Sequence, residues 1–211
     1  FAGDTEVNTD NVSRKYAHES AIYITDEWEI SKRFKVNVGI RASMFNHTGP
    51  LQKIVFDEFG AATDTLQFTR GENIATYFGL EPRLNMRLLI DEYSSLKAGI
   101  TINNQYIHLV SSSTTTLPTD LWVPSTDVVK PQLGFQYTVG YFRNFADNMY
   151  ETSIELYYKD MRNQVEFGES TTLELNQDID DSFVFGRGHS TGAEFFLKKA
   201  RGKFNGWIGY T

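Results

Sequence analysis

Hydrophobic and polar residues alternate along most of this chain, most regularly between Lys130 and Phe167. Leu133, Phe135, Tyr137, Val139 and Tyr141 take one parity, and Gln132, Gly134, Gln136, Thr138 and Gly140 take the other. Asn144-Phe145-Ala146-Asp147-Asn148 reads as a tight turn. Tyr150, Thr152, Ile154, Leu156 and Tyr158 then oppose Glu151, Ser153, Glu155 and Lys159. Period two predicts a β-hairpin with one apolar and one polar face. Both arms outrun the roughly 5–6 residues of a typical globular strand. They reach the roughly 9–11 residues that a transmembrane β-strand needs.

The same signal recurs on both sides of this hairpin. Phe1 to Arg14 is polar and reads as loop. Strands are predicted over Tyr16–Ile30, Phe34–Met44, Ile74–Leu88 and Tyr93–Ile107 before the hairpin, and over Phe183–Lys199 and Lys203–Thr211 after it. Pro82 falls on an apolar position of its strand. It has no N–H for a ladder, so a bulge or local break is expected there. Ser31-Lys32-Arg33, Asp91-Glu92 and Ala200-Arg201-Gly202 read as short turns. His47–Asn73, His108–Val129 and Gly168–Ser182 read as long loops, with Ile54-Val55-Phe56 a local strand inside the first. Short and long connections therefore alternate strictly. A β-sandwich mixes the two kinds at both ends. An outer-membrane barrel keeps short turns at one end and long loops at the other. The expected fold class is all-β: an antiparallel up-and-down meander of about eight long strands, part of a transmembrane β-barrel.

Composition narrows the function classes. The 211 residues include 11 Tyr and 16 Phe, and 14% are aromatic, which suits strands. Mean hydropathy is -0.38, a value that alternating barrel strands tolerate because half their residues are polar. Net charge is -7 and no basic patch is evident, so no nucleic-acid partner is expected. There is no cysteine, which excludes disulfides, thiolate metal sites and Cys nucleophiles.

Catalytic chemistry finds little support. His18, His47, His108 and His189 are scattered without metal-ligand spacing, and no metal or cofactor is expected. Asp178, Asp180 and Asp181 with Glu166, Glu169 and Glu174 supply carboxylates, and a glycosidase pair needs about 5–9.5 Å between two of them. An acidic stretch in a loop is more simply solvated surface. No GxSxG, P-loop or zinc motif occurs, so no catalytic residue is assigned and the chain is not expected to be an enzyme.

Several strings carry a family likeness. Leu80-Glu81-Pro82-Arg83-Leu84-Asn85-Met86-Arg87 resembles a strand of TonB-dependent outer-membrane receptors. Leu117-Pro118-Thr119-Asp120-Leu121-Trp122-Val123-Pro124-Ser125 with Val129-Lys130-Pro131-Gln132 is similar to their loop-then-strand passage. Tyr157 to Val165, Gly192 to Lys199 and Gly206 to Thr211 resemble further strands. The resemblance runs from about Tyr16 onward. It implies a barrel of about 22 strands with a plugged lumen, in the outer membrane of a bacterium. It further implies TonB-driven uptake of a scarce nutrient such as a siderophore, cobalamin or an oligosaccharide. Residues 1–211 then read as a partial barrel domain, with the plug and the C-terminal strands absent.

The partners so implied are the TonB complex through the missing plug, a small nutrient ligand, and outer-membrane lipid. Polar positions such as Lys35, Asn37, Arg41, Glu81, Arg83, Asn85 and Arg87 fit a lumen wall as well as a solvated sheet face. Trp122, Gln105 and Asn103 are the candidate substrate-binding residues, although Trp122 also suits packing within its own loop. The alternative reading is a soluble β-rich carbohydrate-binding module, which would bury its apolar face against a second layer. A sheet cut from a barrel has two unpaired edges. An open, twisted sheet is therefore expected here, rather than closure into an eight-stranded barrel.

Overall fold

The computed structural model describes residues 14–56, 62–110, 121–168 and 179–211. Its strands are β1 (Tyr16–Ser31), β2 (Phe34–Thr48), β3 (Leu51–Phe56), β4 (Ala62–Phe68), β5 (Asn73–Leu89), β6 (Ser94–Gln105), β7 (Ile107–Val110), β8 (Leu121–Pro124), β9 (Gln132–Phe145), β10 (Tyr150–Phe167), β11 (Phe183–Lys199) and β12 (Gly206–Tyr210). Eight of these form one sheet in the order β1-β2-β5-β6-β9-β10-β11-β12. Every neighbouring pair is antiparallel and follows chain order. The up-and-down meander expected from the alternation is therefore present, with the short turns at one end and the long connections at the other. No β1–β12 ladder is present among the described residues, so the sheet is open.

The turn end is tied together by the backbone. Leu89 N–H donates to Arg33 O at 2.7 Å, Asn144 N–H to Tyr93 O at 2.8 Å, and Ala200 N–H to Met149 O at 2.8 Å. The β9–β10 turn places Ala146, Asp147 and Asn148 at φ of 49°, 55° and 63°. Asp and Asn tolerate this left-handed region better than most residues. The last short connection runs on to Asn205, because β12 starts at Gly206 and not at Lys203.

Two long connections hold hairpins, and the third holds a 3-10 helix over Ile179–Ser182. β3 pairs with β4, so the apolar run Ile54-Val55-Phe56 belongs to a hairpin. The stretch read as a plain loop from His108 contains a second hairpin, β7 with β8. Its arms are four residues each, too short for a period-two signal to stand out from the surrounding polar residues. The polar segment before Arg14, and the middle parts of the second and third long connections, lie outside the described residues.

Register fixes the faces. One row runs Val38, Leu84, Ile100, Tyr137, Tyr158 across five strands, and the next runs Val36, Met86, Ala98, Val139, Leu156, Ala193. The alternate rows hold Gly39, Arg83, Thr101, Gln136, Lys159 and, two residues on, Asn103, Gly134, Met161. Val36, Val38, Ile40, Ile100, Ile102, Phe135, Tyr137, Val139, Ile154 and Leu156 thus share one face, and Arg41, Arg83, Thr101, Gln136 and Glu155 the other, as the alternation predicts.

The apolar face is uncovered: Ile24, Phe78 and Leu156 are 70%, 80% and 50% exposed. The polar side is concave. Glu19 of β1 and Met161 of β10 border one trough, and Glu27 of β1 and Glu155 of β10 border another. β5 continues through Pro82 with no bulge. The break expected at this proline appears instead in the ladder to β6, which stops at the Arg83–Thr101 pair.

A small apolar core sits at the long-connection end. Val110, Val123 and Val129 pack with Val165 of β10 and Phe183 of β11, flanked by Leu121 and Phe167. The Phe167 and Phe183 rings tilt against each other with centroids 5.2 Å apart. This core fastens the β7–β8 hairpin to the ends of β10 and β11.

Candidate functional site

The concave face changes character along the strands. Near the turns it carries charges that neutralise one another. Lys35 pairs with Glu29 and lies 3.9 Å from Glu27, and Lys198 reaches Glu151 at 3.1 Å. The Lys97 ammonium lies 4.1 Å from the centre of the Phe142 ring, a cation–π contact. A trough of about 520 Å³ opens here, with Lys35, Arg87, Lys97, Glu27 and Glu155 in its walls.

Midway, an ion pair is sealed in. Glu81 is 2% exposed and accepts from Arg41 Nη1 at 2.8 Å and from Ser43 Oγ at 3.2 Å. Arg41 Nη2 donates to Glu19 at 3.1 Å. The Tyr106 hydroxyl is 2.7 Å from Ser43 Oγ, and its ring stacks on Phe45 at 5.1 Å between centroids. Gly79 makes this arrangement possible. A Cβ there would collide with the Tyr106 hydroxyl and stand 2.6 Å from Ser43 Oγ. A buried carboxylate needs such partners to remain charged.

At the far end the long connections lock to one another. Tyr77 Oη donates to Thr126 O at 2.5 Å, and Thr126 Oγ1 donates to Asp180 at 2.7 Å. Lys15 stands 3.7 Å from the other Asp180 oxygen, an ion pair too long for a hydrogen bond. Lys53 of β3 pairs with Asp127 at 2.6 Å. His108 is fully buried, with Nε2 3.1 Å from Ser125 Oγ, and burial pushes its pKa down to about 4. Asp180 is therefore a buried structural carboxylate and not solvated surface. Glu166 is exposed; Asp178, Glu169 and Glu174 lie outside the described residues.

Between the sealed ion pair and these locked connections lies a second trough of about 570 Å³. Asn103 and Gln105 both line it, together with Asn104, Gln132, Gly134 and Gln164. Trp122 does not join them. It sits on β8 opposite Leu109 and is 64% exposed. Gln164 was not legible as a site residue, because strict alternation after Met161 would aim Asn163 inward. A bulge lies between Arg162 and Gln164, with Asn163 at φ 55° and its side chain bonded to Pro131 O at 2.9 Å. The extra residue switches parity and aims Gln164 into the trough. The helpful signal was an Asn inside a long strand, a residue type that tolerates the left-handed conformation. Among the described residues no group of three His, Cys, Asp or Glu side chains is placed to hold a metal.

The family model described as "TonB dependent receptor-like, beta-barrel" matches residues 2–211. The chain belongs to the TonB-dependent receptor family. Members of this family are transport receptors and not enzymes, and their barrels lie in the outer membrane of Gram-negative bacteria.

Solved structures show the same fold. The FrpB iron transporter from Neisseria meningitidis superposes with a TM-score of 0.61 at 12% identity, over 94% of this chain and 26% of that one. The hemophore receptor HasR of Serratia marcescens, a double mutant in complex with its hemophore HasA and heme, gives 0.62 at 10% identity, over 92% and 33%. The ferric-catecholate import receptor Fiu from Escherichia coli K12 gives 0.53 at 17% identity, over 89% and 26%. The chain thus spans about a quarter to a third of the length of these structures. No curated protein sequence matches.

Proposed function

We propose that this chain forms a stretch of barrel wall in an outer-membrane receptor. The receptor binds a scarce nutrient, such as a siderophore, cobalamin or an oligosaccharide, and imports it with energy relayed by TonB. The observation that carries this reading is the uncovered apolar face across all eight strands, on a chain of this family. A soluble sheet hides such a face, whereas a barrel turns it to lipid. Lipid supplies no hydrogen bonds for open sheet edges, so the strands flanking β1 and β12 come from the remainder of the barrel. TonB engages a plug region outside the chain, and lipid covers the convex face.

Ligand meets the concave face near the long connections, with Asn103, Gln105 and Trp122 as contacts. Deleting the receptor gene should abolish growth on its limiting nutrient, and deleting tonB should do the same. Growth in the tonB strain equal to wild type would refute the energy source. A native protein that stays monodisperse without detergent would favour the soluble carbohydrate-binding module.

A further inference from the structure

The two troughs of the concave face differ in chemistry. The one near the turns is walled by five charged side chains. The one near the long connections has a single charge in its lining, Glu19, which shares Arg41 with the buried Glu81, at 3.1 and 2.8 Å. Five amides surround it: Asn103, Asn104, Gln105, Gln132 and Gln164. Arg83 and Lys159 lie one row further down the ladder, outside its lining.

Each amide offers two donors and an acceptor with two lone pairs. Gln105 spends one donor on Ile107 O at 2.8 Å and keeps its oxygen. The floor at Gly134 is open, with no atom within 4 Å of where a Cβ would stand. A site for an anion carries unpaired Arg or Lys, because charge-assisted bonds give it strength. Neutral amides instead match a solute whose own groups both donate and accept.

We propose that this trough is the ligand-contacting part of the barrel wall and that it selects a neutral solute rich in hydroxyl or amide groups over an anionic chelate. The inference rests on the import reading above and narrows its substrate class. Selection comes from pairing. A ligand with matched donors and acceptors satisfies the amides, and one lacking them strands polar groups as water leaves. An anionic ligand gains no counter-charge here and loses its hydration.

The test is uptake by the full receptor in a strain lacking its other receptors of this type. The probes are labelled maltodextrin, a labelled pool of neutral peptides, and an anionic ferric tris-catecholate. Maltodextrin or peptide should be imported, and which of the two distinguishes a hydroxyl from an amide ligand. Asn103→Asp and Asn103→Lys should each lower that uptake about tenfold or more, since either charge spoils a neutral match. Gly134→Phe should block it while the receptor still reaches the membrane at wild-type level, because its side chain fills open space.

Import of the catecholate alone, or faster anion uptake by Asn103→Lys, overturns this inference and leaves the import reading standing. So does maltodextrin or peptide uptake untouched by all three variants. Import of none of the probes overturns this inference, whereas the import reading falls only if deleting the receptor gene leaves growth on the limiting nutrient unchanged.

Discussion

Ile100 and Thr101 are neighbours on β6 with opposite fates. Ile100 lies on the convex face in a row with Leu84 and Tyr137, and 39% of it is exposed. Thr101 lies on the concave face between Arg83 and Gln136 and is less exposed. The inversion holds across the sheet. The convex side shows Ile24, Phe78 and Leu156, while the concave side seals Ser43 and Glu81 at 4% and 2% exposure. In a soluble half-buried sheet the apolar face is the hidden one. The inverted order is the one the proposed function requires, a wall with hydrocarbon outside and a polar space inside. Burial on the concave side is governed by polar pairing, as at Ser43 and Glu81, and the proposed function leaves the convex side to lipid.

The largest effect should come from charging the convex face. Ile100→Arg in the full receptor is expected to cost about 2–4 kcal/mol if the site lies at the bilayer midplane. Thr101→Arg, one residue away, should change stability far less. Denaturant titration of refolded receptor in lipid vesicles measures both. Equal effects at the two positions would break the distinction between the faces.

Next in size is the sealed ion pair of the concave face. Glu81→Ala strips the buried partner from Arg41 and Ser43 and should cost about 1–3 kcal/mol. Arg41 retains Glu19 at 3.1 Å, which keeps the loss toward the lower end. Glu19→Ala should cost less, because Glu19 is 41% exposed and exposed pairs contribute about 0–1 kcal/mol. A larger loss from Glu19 than from Glu81 would reverse the assignment of the buried partner.

A smaller, pH-dependent effect should appear where the β7–β8 hairpin is held. His108 has its pKa lowered from 6.5 to about 4 by burial. The undocked hairpin therefore takes up a proton as pH falls through 6.5, while the docked one remains neutral until about 4. Docking is at full strength above 6.5, weakens between 6.5 and 4, and gains no further loss from this group below 4. Limited proteolysis between residues 106 and 131 across that range should show faster cleavage at low pH. His108→Leu should flatten the dependence. A wild-type profile that is flat from pH 7 to 4 would contradict the burial argument.

The strands and their faces were legible because period two is written into seven long segments, with only β12 short, and a one-residue slip would have placed Ile100 inside. The alternation of short and long connections carried the meander. Three features were hidden. The four-residue arms of β7–β8 are shorter than the pattern needs. The parity switch at Asn163 depends on one residue's backbone angle. The burial of Asp180 depends on Thr126, which is distant in sequence, so an acidic stretch read as surface. Of the candidate site, Asn103 and Gln105 were placed by parity alone and do share a trough, while Gln132 and Gln164 were recognisable only once the strands were registered.

Trp122 gives the smallest effect on stability and the sharpest test of where ligand first meets the receptor. It stands opposite Leu109 on the β7–β8 hairpin, whose other side packs Val110 and Val123 into the apolar core. At 64% exposure its removal disturbs little packing, so Trp122→Ala should shift stability by no more than about 0.5 kcal/mol. Aromatic residues nonetheless carry a large share of binding energy where they are covered on contact. If ligand touches the hairpin before reaching the amide trough, Trp122→Ala should weaken affinity and slow uptake with stability unchanged. Asn103→Asp should act on the trough alone. Combining the two then separates the steps: losses that add in free energy mean two independent contacts, and a double variant no worse than Asn103→Asp means that ligand bypasses Trp122.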